Sequence, residues 1–353
     1  MGSTERLDAW LAVVVKKRAT DLLLVSGVPA SMHVDGAVIR LEEPPLDASQ
    51  IEEAVGPALR AHAAARFAEH GIADSSYVLD GIGRFRINLH RERGRAAATI
   101  RRLPSQPPRL ATLGLPAEVE ALTRIARGLV LIGGPMVAGK TTTLTALVHE
   151  INCRDRRHII TIEDPIEYEH AHERSVVEQV EIGTDAPDFG TALRAALRQA
   201  PDVIVLGEMR DAESMRIAVA AAETGHLVFS TIHSTDTASA VGRIVDSFPT
   251  ERQNTVRQEL AMALAAVLTQ QLCPRRGGGR IVAAELLMMS YGARQHIRRN
   301  LLQHLHQEIA VTHDRGSFAM EESLANLFNT GEIDREDAMT RAPHPDMLSG
   351  LIG

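Results

Sequence analysis

Residues 134–141 have the residue types and spacing of a loop that holds phosphate groups. They fit the pattern G-x-x-x-x-G-K-[ST], in which glycines let the backbone turn so that N–H groups point at phosphates. Lys140 is expected to reach the β- and γ-phosphates, and Thr141 to offer its hydroxyl to Mg²⁺. The residues expected to hold the nucleotide are Gly134, Pro135, Met136, Val137, Ala138, Gly139, Lys140, Thr141 and Thr142.

The sequence on either side of this loop supports the interpretation. Residues 129–132 form an apolar run typical of a buried strand, and residues 141–151 contain neither glycine nor proline, which favours a helix. The dipole of a helix that begins near Lys140 would add positive potential at the phosphates. The segment therefore predicts a site for a nucleoside triphosphate. The alternative is a glycine-rich turn that binds nothing.

Two further apolar runs each lead into a carboxylate. Glu163 follows residues 159–162, where it is placed to orient a water molecule near the γ-phosphate and to take its proton. Glu208 follows residues 203–206 in the manner of a Walker B strand, and is expected to help hold Mg²⁺ or to position the attacking water. For Glu163 the alternative is a solvated acidic loop. Arg210 is a further catalytic candidate, and the alternative for it is an ion pair that starts the next helix.

Two histidines flank a fourth apolar run. Either His226 or His233 could detect the γ-phosphate by donating a hydrogen bond to it. A single histidine at the end of a strand is more often structural, so that alternative stays open for both. The catalytic candidates are Glu163, Glu208, His226, His233 and Arg210, with Thr141 and Glu208 as metal ligands.

Composition excludes several classes of protein. The chain has 353 residues, 45 Asp and Glu against 38 Lys and Arg, and a formal charge of -7, which argues against direct binding of nucleic acid. Cys153 and Cys273 are too few and too far apart in sequence for a disulfide framework or a four-ligand zinc site, so a reducing cytosol fits. No apolar run approaches the roughly 18 residues of a membrane helix, so any membrane contact is expected to go through a partner.

A proline cluster at residues 103–108 divides the chain into two parts, because it resists both helix and central strand. The first part mixes strand and helix patterns and predicts a small α+β module. In the second part strand and helix patterns alternate, which predicts a parallel α/β sheet with its ligands at the carboxyl ends of the strands. Residues 260–268 are interpreted as a short helical run, and residues 342–345 as a loose proline-rich end.

With these segments in order, the chain resembles the type IV pilus retraction ATPases of the PilT/PilU type. They belong to the secretion and pilus superfamily of RecA-like hexameric ATPases, and the resemblance covers nearly the whole length. It places the family's Walker A motif on residues 134–141, the acidic Asp box on 161–167, Walker B on 204–211 and the His box on 225–233. Residues 221–226, 243–249 and 83–88 match further family segments.

The resemblance implies a fold and a domain plan. The fold class is α/β, a RecA-like P-loop ATPase core with an N-terminal PAS-like α+β domain and a helical C-terminal tail. The expected boundaries are a PAS-like domain at 1–103, a linker at 104–117, the ATPase core at 118–290 and a helical C-terminal region at 291–353.

The resemblance also implies an activity and partners. It points to an ATPase that uses ATP and Mg²⁺ in a hexameric ring, of identical subunits or mixed with a paralogue, and drives pilus retraction and twitching motility. The ring would lie in the cytoplasm, peripheral to the inner membrane, against the platform protein of the pilus base. Arg86, Arg91 and Arg101 would approach the nucleotide of a neighbouring subunit; the alternative is that they are ordinary solvated arginines.

The chain departs from the family's pattern within the P-loop. Val137 and Ala138 replace the usual Gly and Ser, and Met136 replaces the usual Thr. If position 137 needs a left-handed backbone, valine strains the loop there by roughly 1 to 3 kcal/mol.

Residues 293–299 are also a degenerate version of a family segment linked to retraction. These departures leave open an accessory, weakly or non-hydrolysing subunit. An extension or secretion ATPase is a third reading, but it would usually carry a cysteine-rich insert.

Overall fold

A computed structural model describes residues 4–209 and 211–353 of the chain. The chain forms two compact units. The first contains the residues up to Gln106 together with segments 164–169 and 181–187, and the second contains the remainder.

The N-terminal unit is an α+β module built on an antiparallel sheet. Its elements are α1 (Glu5–Lys16), β1 (Asp21–Val25), β2 (Ser31–Val34), β3 (Ala37–Arg40), α2 (Ala48–Val55), a 3-10 helix (Gly56–Ala58), α3 (Ala61–His70), β4 (Ile72–Leu79), β5 (Gly83–Glu92) and β6 (Arg95–Leu103). The six strands lie in the order β3-β2-β1-β6-β5-β4. Asp35 and Gly36 join β2 to β3 with φ of 49° and 84°, as a two-residue hairpin turn requires.

One face of this sheet is buried. Alternate residues of β5, among them Phe85, Ile87 and Leu89, are almost fully buried and pack in one core with Leu7 and Leu11 of α1. Because successive side chains of a strand point to opposite faces, the residues between them lie on the other face. This alternation determines on which face of the sheet each arginine of β5 and β6 lies.

Glu181 explains why two later segments group with the N-terminal unit. Its carboxylate is 5% exposed overall and accepts hydrogen bonds from Ser76 Oγ at 2.7 Å and from the backbone N–H of Ile166 at 3.2 Å. Arg84 of β5, also buried, donates to the carbonyl oxygen of Ile166 at 2.9 Å and pairs with Glu169 at 3.0 Å. This grouping depends on contacts between residues about 80 to 105 positions apart, so local sequence patterns do not predict it.

The second unit contains a seven-stranded sheet and the remaining helices. Its elements are β7 (Gly128–Gly134), α4 (Lys140–Arg154), β8 (His158–Glu163), β9 (Val176–Glu181), α5 (Phe189–Ala196), β10 (Val203–Leu206), α6 (Ala212–Glu223), β11 (Leu227–His233), α7 (Thr237–Asp246), α8 (Thr250–Ala263), β12 (Leu264–Pro274), β13 (Arg280–Met288), α9 (Tyr291–Arg298), α10 (Leu305–Val311), α11 (Met320–Asn329), α12 (Arg335–Arg341) and α13 (Pro345–Leu351). Short 3-10 helices lie at Leu110–Thr112, Ala117–Arg124, Leu302–His304 and His313–Arg315.

Strand order brings the predicted motifs to one edge of the sheet. The order is β13-β12-β7-β11-β10-β8-β9, and β12, β7, β11, β10 and β8 run parallel to their neighbours in this series. Residues Gly134 and His233 are register partners at the carboxyl ends of β7 and β11. The α/β RecA-like fold class expected from the sequence is confirmed, with the P-loop, both acids and His233 at the carboxyl edge.

Two expectations about the second unit are wrong. The run at residues 260–268 is not one helix, because α8 ends at Ala263 and β12 starts at Leu264. The C-terminal end is not loose, because α13 follows the prolines and Leu348 and Ile352 are buried against Ala338 and other residues of the C-terminal helices. Among the residues that the structure describes, no helix combines the length and hydrophobicity needed to cross a membrane.

His170 in the second unit is expected to make stability depend on pH. Burial, with a smaller contribution from His149, lowers the pKa of His170 from 6.5 to about 4. The unfolded chain therefore binds this proton more readily, so the stabilisation is complete above pH 6.5 and is lost as the pH falls towards 4. The loss amounts to about 3 kcal/mol. In urea unfolding at a series of pH values, His170→Gln should flatten the decline between pH 6.5 and 4.

The control for this prediction is His313→Gln, since His313 is exposed and its removal should leave the decline as steep as in the unmodified protein. Equal slopes for His170→Gln and the unmodified protein would show that His170 does not cause the pH dependence.

Candidate nucleotide site

The P-loop adopts the backbone shape that its glycines permit. It leaves β7 at Gly134 with φ of 155° and enters α4 through Gly139 with φ of 84°. A Cβ at position 134 would lie 2.5 Å from the carbonyl oxygen of Gln270, so a side chain there would clash. Gly139 also precedes α4 without a side chain that could cap its first N–H groups, which leaves them for an anion.

Lys140 lies inside this loop. It is 8% exposed, and its Nζ donates to the carbonyl oxygens of Gly134 at 2.9 Å and Pro135 at 2.8 Å. Burial lowers the pKa of Lys140, and the negative charge of Glu208 opposes that shift. The loop thus holds a cation within the ring of backbone that is expected to receive the phosphates.

His233 connects this lysine to the Walker B carboxylate. Its Nδ1 lies 3.2 Å from Lys140 Nζ, and its Nε2 lies 3.0 Å from Glu208 Oε1. An ammonium can only donate, so Nδ1 accepts and Nε2–H donates to the carboxylate. The neutral tautomer with the proton on Nε2 satisfies both contacts, and Lys140, His233 and Glu208 form one chain of hydrogen bonds.

Glu163 lies beside Glu208 at the next strand end. It ends β8, and the backbone N–H of Gly207 donates to the carbonyl oxygen of Ile162 at 2.9 Å. A Cβ on Gly207 would lie 3.6 Å from the Cα of Glu163, so the acids flank a point where the backbones approach closely. Thr161 Oγ1 donates to Glu163 Oε1 at 2.7 Å, and Gln179 Nε2 donates to the same oxygen at 3.2 Å, so both side chains orient this carboxylate.

The donor set fits a hard divalent cation beside a phosphate. Thr141, in the first turn of α4, supplies a hydroxyl, and Glu208 and Glu163 supply carboxylate oxygens at the same sheet edge. Mg²⁺ prefers such oxygen ligands and usually keeps several waters. Thr142 follows in the same helical turn.

The structure does not bring His226 to this edge. His226 precedes β11, whose first residue, Leu227, pairs with Gly128 at the start of β7. The P-loop leaves the far end of β7, about 20 Å away at roughly 3.3 Å per residue. His226 Nδ1 instead lies 3.0 Å from the carbonyl oxygen of Ala221. The expectation that His226 contacts the γ-phosphate of its own subunit is therefore wrong, and a structural role fits it. Arg210 lies outside the described residues.

The three candidate arginines of the N-terminal unit do not form one cluster. Arg86 and Arg101 are cross-strand partners on the face opposite the helices. Arg91 lies on the helix-covered face, with its guanidinium 4.9 Å from the ring centroid of Phe67 and 3.1 Å from Glu52.

Each of these arginines has an acidic partner inside the unit. Arg86 pairs with Asp74 at 3.3 Å and Arg101 with Asp21 at 2.8 Å. Arg86 and Arg101 thus share one face of the sheet, whereas Arg91 is held on the other face by Glu52 and Phe67.

Gln270 is a site residue that the sequence did not indicate. It is 2% exposed, and its Nε2 donates to the P-loop carbonyl of Ala138 at 2.7 Å. The sequence predicts a helical run at residues 260–268, so it predicts no strand end at Gln270. A signal was present, since the apolar run at 264–268 changes to Thr269 and Gln270, as the other motif strands change to polar residues at their carboxyl ends.

Val137 has a left-handed backbone conformation, which is the conformation in which valine is expected to strain the loop. Its φ is 62°, and its side chain is 73% exposed, so packing offers little compensation. Val137→Gly should remove roughly 1 to 3 kcal/mol of strain and lose up to about 1 kcal/mol through the flexibility of glycine in the unfolded chain. We expect the midpoint of urea unfolding to rise, as measured by circular dichroism.

Met136→Gly is the matched control for this prediction. Met136 is the adjacent loop residue and is 79% exposed, but it does not have a positive φ. Glycine there should lower the midpoint slightly or leave it unchanged. If Val137→Gly lowers the midpoint of urea unfolding as much as Met136→Gly does, the backbone at position 137 is not strained.

Comparisons with known proteins identify the family of this chain. The sequence profile of the Type II/IV secretion system protein family matches residues 7–325. The chain is 38% identical over 336 residues to the type IV pilus retraction ATPase PilT of Pseudomonas aeruginosa, covering 95% of this chain and 98% of that protein. It is 37% identical over 343 residues to the type IV pilus ATPase PilU of the same organism, covering 97% and 90%.

A solved structure shares the whole fold. The crystal structure of the pilus retraction motor PilT with bound ADP superposes with a TM-score of 0.87 at 38% identity, covering 99% of both chains. The chain therefore belongs to the Type II/IV secretion system protein family and, within it, to the type IV pilus retraction ATPases.

Proposed function

We propose that this protein hydrolyses ATP in a hexameric ring and that the resulting domain movement drives type IV pilus retraction. The observation that carries the proposal is the chain from Lys140 through His233 to Glu208, with Glu163 at the adjacent strand end. The P-loop supplies a phosphate cradle, and the carboxylates supply groups that act on water. The pilus retraction motor PilT, which has the same fold at 38% identity, holds ADP.

Hydrolysis requires a positioned water and a group that takes its proton. Thr161 and Gln179 orient the carboxylate of Glu163, which suits it to hold a water and accept a proton late in the reaction. Glu208 is placed to bind Mg²⁺ through its oxygens or a water, together with the Thr141 hydroxyl. When bound, Mg²⁺ would neutralise charge that develops on the β- and γ-phosphates.

His233 suits a role in sensing the nucleotide. It contacts both the lysine that would meet the phosphates and the carboxylate that would meet the metal or water. A phosphate that draws the Lys140 ammonium away from Nδ1 would release that hydrogen bond and change the one to Glu208. We propose that His233 reports occupancy of the loop to the Walker B strand end.

The proposed motor is a ring, because an arginine that acts on a nucleotide in trans must come from a neighbouring subunit. In this proposal Arg86 and Arg101 contribute to the nucleotide site of the neighbouring subunit, where an arginine supplied in trans stabilises developing charge. The ring consists of this chain alone or of this chain with a paralogue. It acts in the cytoplasm at the inner membrane, against the platform protein at the base of the pilus.

An accessory, weakly hydrolysing subunit is the second candidate, and the strained backbone at Val137 favours it. A loop that resists its own conformation would bind or turn over ATP poorly. Phosphate release from the purified ring separates the two candidates. Release clearly above the buffer rate supports a motor, and release at the buffer rate with nucleotide still bound supports the accessory subunit.

The cellular role is tested by deleting the gene and counting surface filaments. Filaments should accumulate and twitching should stop, because subunits no longer leave the filament. A plasmid copy of the unmodified gene should reverse both changes, and a copy carrying Glu208→Gln should reverse neither. Normal filament number and twitching in the deletion strain would contradict the retraction role.

A further inference from the structure

Three side chains outside the nucleotide site meet near the C-terminus of the second unit. His306 lies on α10, Glu321 on α11, and His344 immediately before α13. One nitrogen or oxygen atom of each lies within 4.8 Å of those of the other two. The cluster thus joins three elements that are separate in sequence.

Glu321 is the feature that most requires explanation. Its residue is 0% exposed, and its Oε1 accepts the backbone N–H of His344 at 2.8 Å and lies 3.0 Å from the Nδ1 of that residue. Its Oε2 is buried and has no hydrogen-bond partner among the described residues. A buried carboxylate oxygen without a partner is destabilising, so a cation at this point would satisfy it.

The histidines are arranged so that an ion could reach them. Their rings lie 4.3 Å apart between centroids, and the side chains of His306 and His344 are 28% and 47% exposed. His306 Nδ1 lies 4.0 Å from Oε2 of the buried Glu285, which is within the distance of an ion pair but longer than a hydrogen bond. A carboxylate behind a ligating histidine is the usual outer arrangement of a metal site.

The cluster borders a cavity that supplies an entry path. His306 and His344 line a cavity of about 590 Å³, together with Glu285 and with Pro135 of the P-loop. Thr237 lines the same cavity and donates its hydroxyl to Glu285 at 2.7 Å. An ion in the cluster would therefore tie the C-terminal helices together beside the nucleotide loop.

We propose that His306, Glu321 and His344 bind one divalent transition-metal ion, of which Zn²⁺ is the best match. Two imidazoles and a carboxylate are ligands that Zn²⁺ accepts, with a water or a fourth group completing the shell. Mg²⁺ and Ca²⁺ prefer oxygen ligands alone, so this site is distinct in chemistry from the Mg²⁺ position at the P-loop.

The test is a titration of the full chain, free of metal and nucleotide, with Zn²⁺ in a buffer that contains excess Mg²⁺. Calorimetry measures the affinity and the number of Zn²⁺ ions bound per chain. Cys153 is replaced by serine in every protein, because its exposed thiol lies 3.6 Å from His149 Nε2 and would offer Zn²⁺ a competing site. We expect one tight site per chain. His306→Gln and His344→Gln should each weaken it by more than the roughly 10- to 100-fold that loss of an outer partner produces.

His304→Gln is the matched control. His304 lies two residues before His306 in the sequence, with its ring 5.3 Å from that of His296, and it is not a member of the cluster. Its Zn²⁺ affinity should stay within about twofold of the parent protein. Bound Zn²⁺ should also raise the unfolding temperature of the parent and of His304→Gln, but not of His306→Gln or His344→Gln.

Three results would overturn the proposal. They are the absence of a tight site in the parent protein, an equal loss of affinity in His304→Gln, and undiminished affinity in both cluster variants. Nucleotide affinity of each variant reports whether it has folded. Since Glu321→Gln removes a buried charge and can disturb folding, the half-exposed histidines decide the outcome.

Discussion

Lys140→Ala is expected to weaken ATP binding by about 30-fold or more. The lysine is buried, and its ammonium lies among carbonyl oxygens of the loop that would surround the phosphates. Loss of a desolvated charge that pairs with an opposite charge removes roughly 2 kcal/mol or more of binding free energy. Alanine also cannot reach His233, so the contact between the loop and Walker B is lost. Calorimetric titration with a slowly hydrolysed ATP analogue measures the change.

Lys17→Ala is the control for this prediction. Lys17 is exposed at the end of α1 in the N-terminal unit, so its removal changes the net charge of the protein by the same amount. Its ATP affinity should match that of the unmodified protein. Equal affinity of Lys140→Ala and Lys17→Ala would show that residues 134–141 are not the nucleotide site.

Glu208→Gln is expected to leave ATP binding within a few-fold and to reduce kcat by about 100- to 10,000-fold. The range is that of a group acting on the proton or position of a reacting water. The amide keeps the shape of the side chain but loses the charge that would face Mg²⁺ or water. It also loses the charge that opposes the lowered pKa of Lys140. Steady-state phosphate release gives kcat, and nucleotide titration gives the affinity.

Glu251→Gln is a suitable control, because Glu251 is an exposed carboxylate in the first turn of α8. It should keep normal turnover. If Glu208→Gln also turns over ATP at nearly the normal rate, the essential carboxylate is Glu163, and Glu163→Gln should then show the loss instead.

The sequence predicted the site best where chemistry and strand pattern coincide. Residues 203–206 were predicted as a strand, and β10 has these bounds. The carboxyl-edge positions of Glu163, Glu208 and His233 follow from the same logic, because each follows an apolar run in a parallel sheet. A polar residue directly after an apolar run indicates both where the strand ends and which edge of the parallel sheet that end reaches.

His226 shows the limit of that logic. It and His233 flank one strand, and a strand carries its two ends to opposite edges of the sheet. Only the residue at the carboxyl end can meet the P-loop of the same subunit. The neighbouring motifs indicate the direction of this strand, and that direction is sufficient to choose between the two histidines.

Other features depend on contacts that are distant in sequence. Residues 260–268 are short, apolar and rich in alanine, so periodicity could not separate helix from strand, and pairing of β12 with β7 decided the outcome. The grouping of Glu181 with the N-terminal unit and the meeting of His306 with Glu321 and His344 likewise arise from tertiary packing.

A crystal structure of the full chain with Mg²⁺ and a non-hydrolysable ATP analogue would test the nucleotide site most directly. We expect the triphosphate in the loop of residues 134–141, with Lys140 against the β- and γ-phosphates. We also expect Mg²⁺ near Thr141 and Glu208, with Glu163 facing the γ-phosphate. A loop without nucleotide, or Glu163 and Glu208 both turned away from the bound phosphates, would show that these residues do not form the site.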